Sequence, residues 1–430
     1  MAISGDKDNV DDEYSDGYGK WGTGPTHEQS EAARRFVKQV AAERQDERMR
    51  NRFRGCLIGG AVGDALGAPV EFMSHGQIVR EFGPQGIKDY VPAFGRLGAI
   101  TDDTQMTLFT AEGLLRGFVR GCVRGISSYE GVVDHAYQRW LLSQGESSLN
   151  KDVRRDGWLW EHKDLHSRRA PGLTCLSAMK SKRKFGEMAN NDSKGCGGVM
   201  RVAPVGMFAW HQRNEESTVR RCFDLGCGVS GLTHGHITGK LTAGVFAVLV
   251  FELLQGNTLE RALFYARRLL DAGADKGGES DGNRHSLSSV HGVSAEYAET
   301  AAAIDHAIRL AASSERPGPE QVAKLGEGWV AEEALAISVY CALVARDFEE
   351  GVSLAVNHSG DSDSTGAITG NLLGASLGVD AIPGRWRKPL ELKRVINSIA
   401  DDLYEYPGWS IAHSYDAEDN KRIVARYPGV

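Results

Sequence analysis

The chain has 430 residues, of which 41% are hydrophobic, 25% charged and 8% aromatic, a balance that belongs to folded globular proteins and excludes fibrous or wholly disordered chains. Fifty Lys and Arg stand against 57 Asp and Glu, a formal charge of −7, which argues against a body-wide grip on nucleic acid. The seven cysteines (56, 122, 175, 196, 222, 227 and 341) are dispersed and form no CxxC pair, so a reducing compartment, the cytoplasm, suits them better than a disulfide framework.

In chain order, the first twenty residues carry six acids (Asp6, Asp8, Asp11, Asp12, Glu13, Asp16), with Tyr14, Tyr18 and Trp21 close by. This is not the basic stub and apolar run of an export signal, and such a segment buries too little apolar surface to order itself. Pro25-Thr26-His27-Glu28-Gln29 reads as a helix start, with a Thr cap and a Gln three residues on. The spacing predicts a charged helix from there to about Met49. Residues 1–50 are therefore expected to be an extension, and 51–430 the main domain.

From Phe53 onward the apolar period is helical: Val132, Val133, Ala136, Tyr137, Trp140 and Leu141, then Leu390, Val395, Ile396, Ile399 and Leu403, all near a repeat of 3.6. The runs Met106–Phe118 and Val330–Val344 follow the same rule, and alternating strand patterns are scarce. The expected fold is all-α, a compact single-domain helical bundle. Leu241–Leu254 is apolar but too short to span a bilayer, and it reads as a buried helix, so no membrane is expected. Residues 151–169, 180–194 and 274–293 read as surface loops.

Two acidic clusters stand out. Thr101-Asp102-Asp103-Thr104 precedes a helix expected near Gln105, and Gly360-Asp361-Ser362-Asp363-Ser364-Thr365-Gly366 opens another, with Gly366, Gly370 and Gly374 at four-residue spacing. A helix start uses one Asp as a cap; two pairs exceed that need. Sharing one cleft, four carboxylates repel, and two hard divalent cations on oxygen ligands are the natural compensation. Magnesium or manganese fits better than zinc, because neither cluster holds His or Cys. An EF-hand reading of the second cluster fails at Leu372, where a bidentate Glu is required. The glycine ladder predicts close approach of a neighbouring helix.

Other segments are weaker. Gly59 to Phe72 (GGAVGDALGAPVEF) places Asp64 and Glu71 among small residues, where each alone reads as structural. Gly195-Cys196-Gly197-Gly198 can offer backbone amides to phosphate, but no GK[ST] follows. Thr233-His234-Gly235-His236 lies near Cys222 and Cys227 without finger spacing. Gly226–Gly231 matches GxGxxG but follows no strand, so a dinucleotide fold is a weak reading.

Taken in order, GAVGDALGAPVEF, TDDTQM, KGCGGVMRVAPVG, THGH and GDSDSTGAITGNLLGA resemble the ADP-ribosylglycohydrolase family, from about Phe53 to Leu403. The resemblance implies one all-α domain with a central cleft for two Mg2+ or Mn2+ ions. It also implies Thr101, Asp102, Asp103, Asp361, Asp363 and Ser364 as metal ligands, Glu71 as a catalytic or gating acid beside Asp102 and Asp363, and Gly195, Cys196, Gly197, Gly198 and His234 as the ADP-ribose contacts. Ser364 stands where several members carry Thr, which keeps the hydroxyl. The implied activity is hydrolysis of ADP-ribose from modified protein side chains, foremost arginine. Some bacterial members are immunity proteins that use an N-terminal extension against an ADP-ribosyltransferase toxin, and residues 1–50 are similar in kind. Two alternatives stay open on the residues alone: a protein that mainly sequesters a transferase, and a metal-dependent phosphohydrolase.

Overall fold

The computed structural model describes residues 27–215, 217–275, 293–411 and 418–429. The chain divides into two units, Met1–Glu47 and Arg48–Val430. The described residues hold eighteen α-helices and no β-strand, with only two isolated bridges, Ala93 to Arg96 and Gly195 to Val330. The all-α expectation holds. The Thr26 cap, Tyr14, Tyr18, Trp21 and most of the 274–293 loop lie outside the described residues.

One difference from the sequence reading concerns the first helix. It does not stop near Met49 but runs unbroken over His27–Gly67. No proline interrupts it, and it ends where Pro69 removes an amide and disfavours helical geometry at Ala68. Its glycines are tolerated because they are packed. Cβ atoms added at Gly55, Gly59 and Gly63 would stand 2.3, 2.2 and 1.9 Å from the carbonyl oxygens of Gly374, Gly370 and Gly366, and one at Gly67 2.3 Å from that of Ser362. The expected partner of the glycine ladder is thus the His27–Gly67 helix itself, laid backbone to backbone along the Ser362–Leu377 helix. This contact holds the helix turn that carries Asp64 against the Ser362–Leu377 helix, and any added methyl group forces the backbones apart.

The second difference is the start of the Asp102–Arg124 helix, three residues before the expected Gln105, with Thr101 as N-cap. The helix Ile237–Leu254 is a core element, as expected. It is the one described helix long and apolar enough to cross a membrane, yet 89% of it is buried among its neighbours. Its fully buried Phe246, Leu249 and Val250 each contribute about 1.5–3 kcal/mol by leaving water. The GxGxxG run lies inside the Thr218–Gly231 helix, where it serves packing: Cys227 fills the space above Gly244.

Charge is also buried away from the acidic clusters. Glu112 accepts from Arg116 at 3.1 Å and Arg139 at 2.5 Å, and all three are at most 2% exposed. Arg116 continues to Asp156 at 2.5 Å and to the Pro428 carbonyl at 2.9 Å, which fastens the C-terminal segment.

Candidate active site

The fold brings the two acidic clusters together. Thr101 caps its helix by accepting the Asp103 amide at 3.2 Å, so Asp102 and Asp103 occupy the first turn. Asp361 caps the Ser362–Leu377 helix by accepting the Ser364 amide at 3.2 Å, so Asp363 and Ser364 occupy its first turn. Two helix N-termini thereby face one cleft, each placing partial positive charge near the carboxylates.

Asp64 joins the clusters, although its sequence context reads as structural. Wholly buried, it accepts the Thr101 amide at 3.0 Å and the Thr104 amide at 3.2 Å, and also the Thr104 hydroxyl. Glu391 does similar work from the far end of the chain. It accepts the Ile100 amide at 3.1 Å and the guanidinium groups of Arg96 at 2.7 Å and Arg169 at 2.8 Å, while the Asp102 amide donates to the Arg169 carbonyl at 2.9 Å. Sequence reading missed Glu391 and Arg169 because neither belongs to a local motif.

The electrostatics follow from burial. Asp102, Asp103, Asp361 and Asp363 are all under 5% exposed. Burial first, countered partly by the Gly172 amide and reinforced by Asp64, pushes Asp102 up to about 8. Burial and the charges of Asp361, Asp102 and Asp64 raise Glu71 to about 8. Burial raises Asp64 to about 6 despite its hydrogen bonds, and Asp103 and Asp363 are held well above the usual carboxylate range by burial and by each other's neighbourhood. Among the described residues no Lys or Arg forms a salt bridge with Asp102, Asp103, Asp361 or Asp363. Asp103 Oδ2 is buried with no hydrogen-bond partner.

Such a site calls for added positive charge, and its donors are oxygens throughout, the chemistry of Mg2+ or Mn2+. Among the described residues, however, no three His, Cys, Asp or Glu side chains already stand at metal-ligand spacing. The carboxylates are turned instead to amides, as in Ser364 N–H to Asp363 Oδ1 at 2.9 Å, and to the Cys196 thiol, which donates to Asp361 Oδ2 at 2.6 Å. That thiol is pushed well up by burial and by Asp361.

Gly195, Cys196, Gly197 and Gly198 form a turn over His234. A Cβ at Gly197 would stand 3.0 Å from the His234 ring and one at Gly198 only 2.2 Å from Ser230 Oγ, so the loop seats by having no side chains there. His234 is 1% exposed and lies beneath the loop. Burial, with Arg201 beside it, holds it down at about 3, hence neutral. Thr233 Oγ1 links the two, at 2.5 Å from Arg201 Nη2 and 2.7 Å from His234 Nδ1. The Cys196 amide donates to the Trp329 carbonyl at 3.1 Å, and the Asp361 amide to the Glu327 carbonyl at 2.8 Å, so residues 327–329 tie the glycine turn to the acidic cluster.

The arrangement matches known proteins. The family model described as ADP-ribosylglycohydrolase covers residues 45–411. The ADP-ribosyl-[dinitrogen reductase] glycohydrolase of Rhodospirillum rubrum is 25% identical, over 82% of this chain and 96% of its own. The ADP-ribosylarginine hydrolase Tri1 of Pseudomonas putida is 22% identical, over 86% of this chain and 82% of its own. A solved structure titled ADP-ribosylglycohydrolase-related protein complex superposes with a TM-score of 0.56 at 25% identity, covering 83% of this chain and 98% of the other. A match that runs through both acidic clusters, the glycine turn and the helices that hold them identifies the chain as an enzyme: it belongs to the ADP-ribosylglycohydrolase family.

Proposed function

We propose that this ADP-ribosyl hydrolase releases ADP-ribose from modified arginine side chains of proteins. The observation that carries the reading is the meeting, near a glycine turn, of two helix-capped acid pairs that no Lys or Arg among the described residues answers. The arginine acceptor is supported by the names of the relatives from Pseudomonas putida and Rhodospirillum rubrum, one an ADP-ribosylarginine hydrolase and the other acting on an ADP-ribosylated protein.

Thr101, Asp102, Asp103, Asp361, Asp363 and Ser364 are the residues to hold two divalent cations, Mg2+ or Mn2+. When bound, such ions offset the carboxylate charge, orient the ribose hydroxyls and lower the pKa of water. The Gly197–Gly198 end of the turn is the part left to hold the diphosphate, since the Cys196 amide is taken by the Trp329 carbonyl and that of Gly195 by Ser193 Oγ, with His234 seating the turn from below. In hydrolysis the water oxygen bonds to the anomeric carbon while that carbon's bond to the acceptor nitrogen breaks, through an oxocarbenium-like state. Glu71 is the half-exposed member of the carboxylate group, so it is the one placed to pass a proton between water and leaving group. Asp102 and Asp363 fix the geometry and field around the reacting carbon.

The enzyme is read as cytoplasmic, which its seven free cysteines support. Residues 1–50 are read as an extension to the 51–430 domain that contacts an ADP-ribosyltransferase; Phe36 and Val37, both more than 60% exposed on the first helix, support a contact role. Incubating the protein with an arginine-ADP-ribosylated peptide and Mg2+ tests the main reading by release of free ADP-ribose. Intact peptide after exhaustive incubation would sink the arginine reading. Deleting residues 1–50 tests the extension: transferase binding weakens while hydrolysis persists, and unchanged binding removes the contact role.

A further inference from the structure

Two aromatic rings stand at the cleft without a part in the chemistry above. Phe72 follows Glu71 directly in the turn after the first helix and is 75% exposed; Trp329 is 38% exposed. The rings come from segments more than 250 positions apart, yet they stack at 5.7 Å between centroids and 16° between planes. An exposed Phe is not held in such a place by core packing, and each ring keeps part of its surface open to solvent.

The surroundings fix what can bind. Glu71, directly before Phe72, feels the Asp361, Asp102 and Asp64 charges, so the segment that carries Phe72 borders the acidic cleft. Trp329 Nε1 donates to Glu327 Oε2 at 3.2 Å, which fixes the indole and sets a carboxylate at its edge. Trp329 is rigidly placed as well. Its carbonyl accepts the Cys196 amide, and Gly328 before it adopts a left-handed φ of 84° that brings the backbone against Asp361. An open π face of the stack with the Glu327 carboxylate at its edge selects a flat cation over a neutral ring, because the cation gains from both the ring quadrupole and the charge.

We infer that Phe72 and Trp329, with Glu327, form the acceptor subsite and hold the guanidinium of the ADP-ribosylated arginine by cation–π contact. This rests on the arginine reading above, whose failure would show first, as an unmodified enzyme that leaves the arginine linkage intact. The test compares two constants in full-length Phe72→Ala, Trp329→Ala and Trp329→Phe, with Mg2+ present: kcat/KM for an ADP-ribosyl-arginine peptide and the inhibition constant of free ADP-ribose, which lacks the acceptor. Each alanine variant should lower kcat/KM by roughly 3- to 30-fold, mainly through KM, with a much smaller change in the ADP-ribose constant, and Trp329→Phe should recover most of the loss. Agmatine, a free guanidinium probe, should inhibit the wild type more strongly than Trp329→Ala. A parallel loss in both constants would assign the rings to the adenine instead, and unchanged kcat/KM would leave them without a binding role; either result overturns the inference while the arginine activity stands.

Discussion

The Asp102–Arg124 helix carries two kinds of buried acid, and the contrast between them separates a site from a scaffold. Glu112, near its middle, is answered by two buried arginines and forms a closed network with Asp156 and the C-terminal backbone. Asp102 and Asp103, in its first turn, meet amides, the Ser364 side chain, one another and the opposing acids, and Asp103 Oδ2 has no hydrogen-bond partner. Burying carboxylates is costly in both places. In the network the cost is offset within the fold; in the cleft no Lys or Arg among the described residues offsets it, and on the proposed function a cation and substrate do so.

Breaking either side should give opposite signatures. Asp363→Ala should lower ADP-ribose release on the order of 10³-fold while circular dichroism keeps its helical form, since a cavity replaces a repelled carboxylate. Glu112→Ala should do the reverse: it leaves Arg116 and Arg139 buried without their acid and should cost about 3–5 kcal/mol of stability, read by denaturant unfolding, with turnover per folded molecule near normal. Glu71→Gln sharpens the division within the cleft. Turnover should fall roughly 10²-fold as the proton carrier is lost, and calorimetry should show cation affinity close to that of the wild type; lost cation binding would make Glu71 a ligand instead. The smallest effect is a pH slope. Carboxyls raised to about 6 in Asp64 and about 8 in Glu71 and Asp102 bind more protons folded than unfolded, so the cation-free protein should lose stability as pH rises from 4 to 8. Melting temperatures across that range, with Mg2+ flattening the fall, check it; a rise in cation-free stability over the same range would contradict it.

The two sides also differ in how far they can be read from sequence. TDDT and GDSDST are contiguous because a cap and a first turn place neighbouring residues on one pole of a helix, so these ligand candidates are visible in a few letters. The glycine ladder was legible too, through its four-residue spacing, although its partner was not. Glu112, Arg116, Arg139 and Asp156 are single polar letters in apolar helices and a loop, and only tertiary packing joins them. Glu391 braces Ile100 from 291 positions away and Arg169 braces Asp102 from 67, and the stack of Phe72 on Trp329 has no local signature. The unbroken first helix escaped notice because its polar half and glycine-rich half share no common apolar stripe, while backbone contact with the Ser362–Leu377 helix stabilises the glycine half.

On the proposed function, the acids of the cleft work only with a divalent cation. The most direct measurement is the rate of ADP-ribose release from an arginine-modified peptide by chelator-stripped enzyme, titrated with Mg2+ and then Mn2+. Negligible release without cation and saturable recovery on titration are expected. Undiminished turnover in the stripped enzyme would contradict this requirement for a cation.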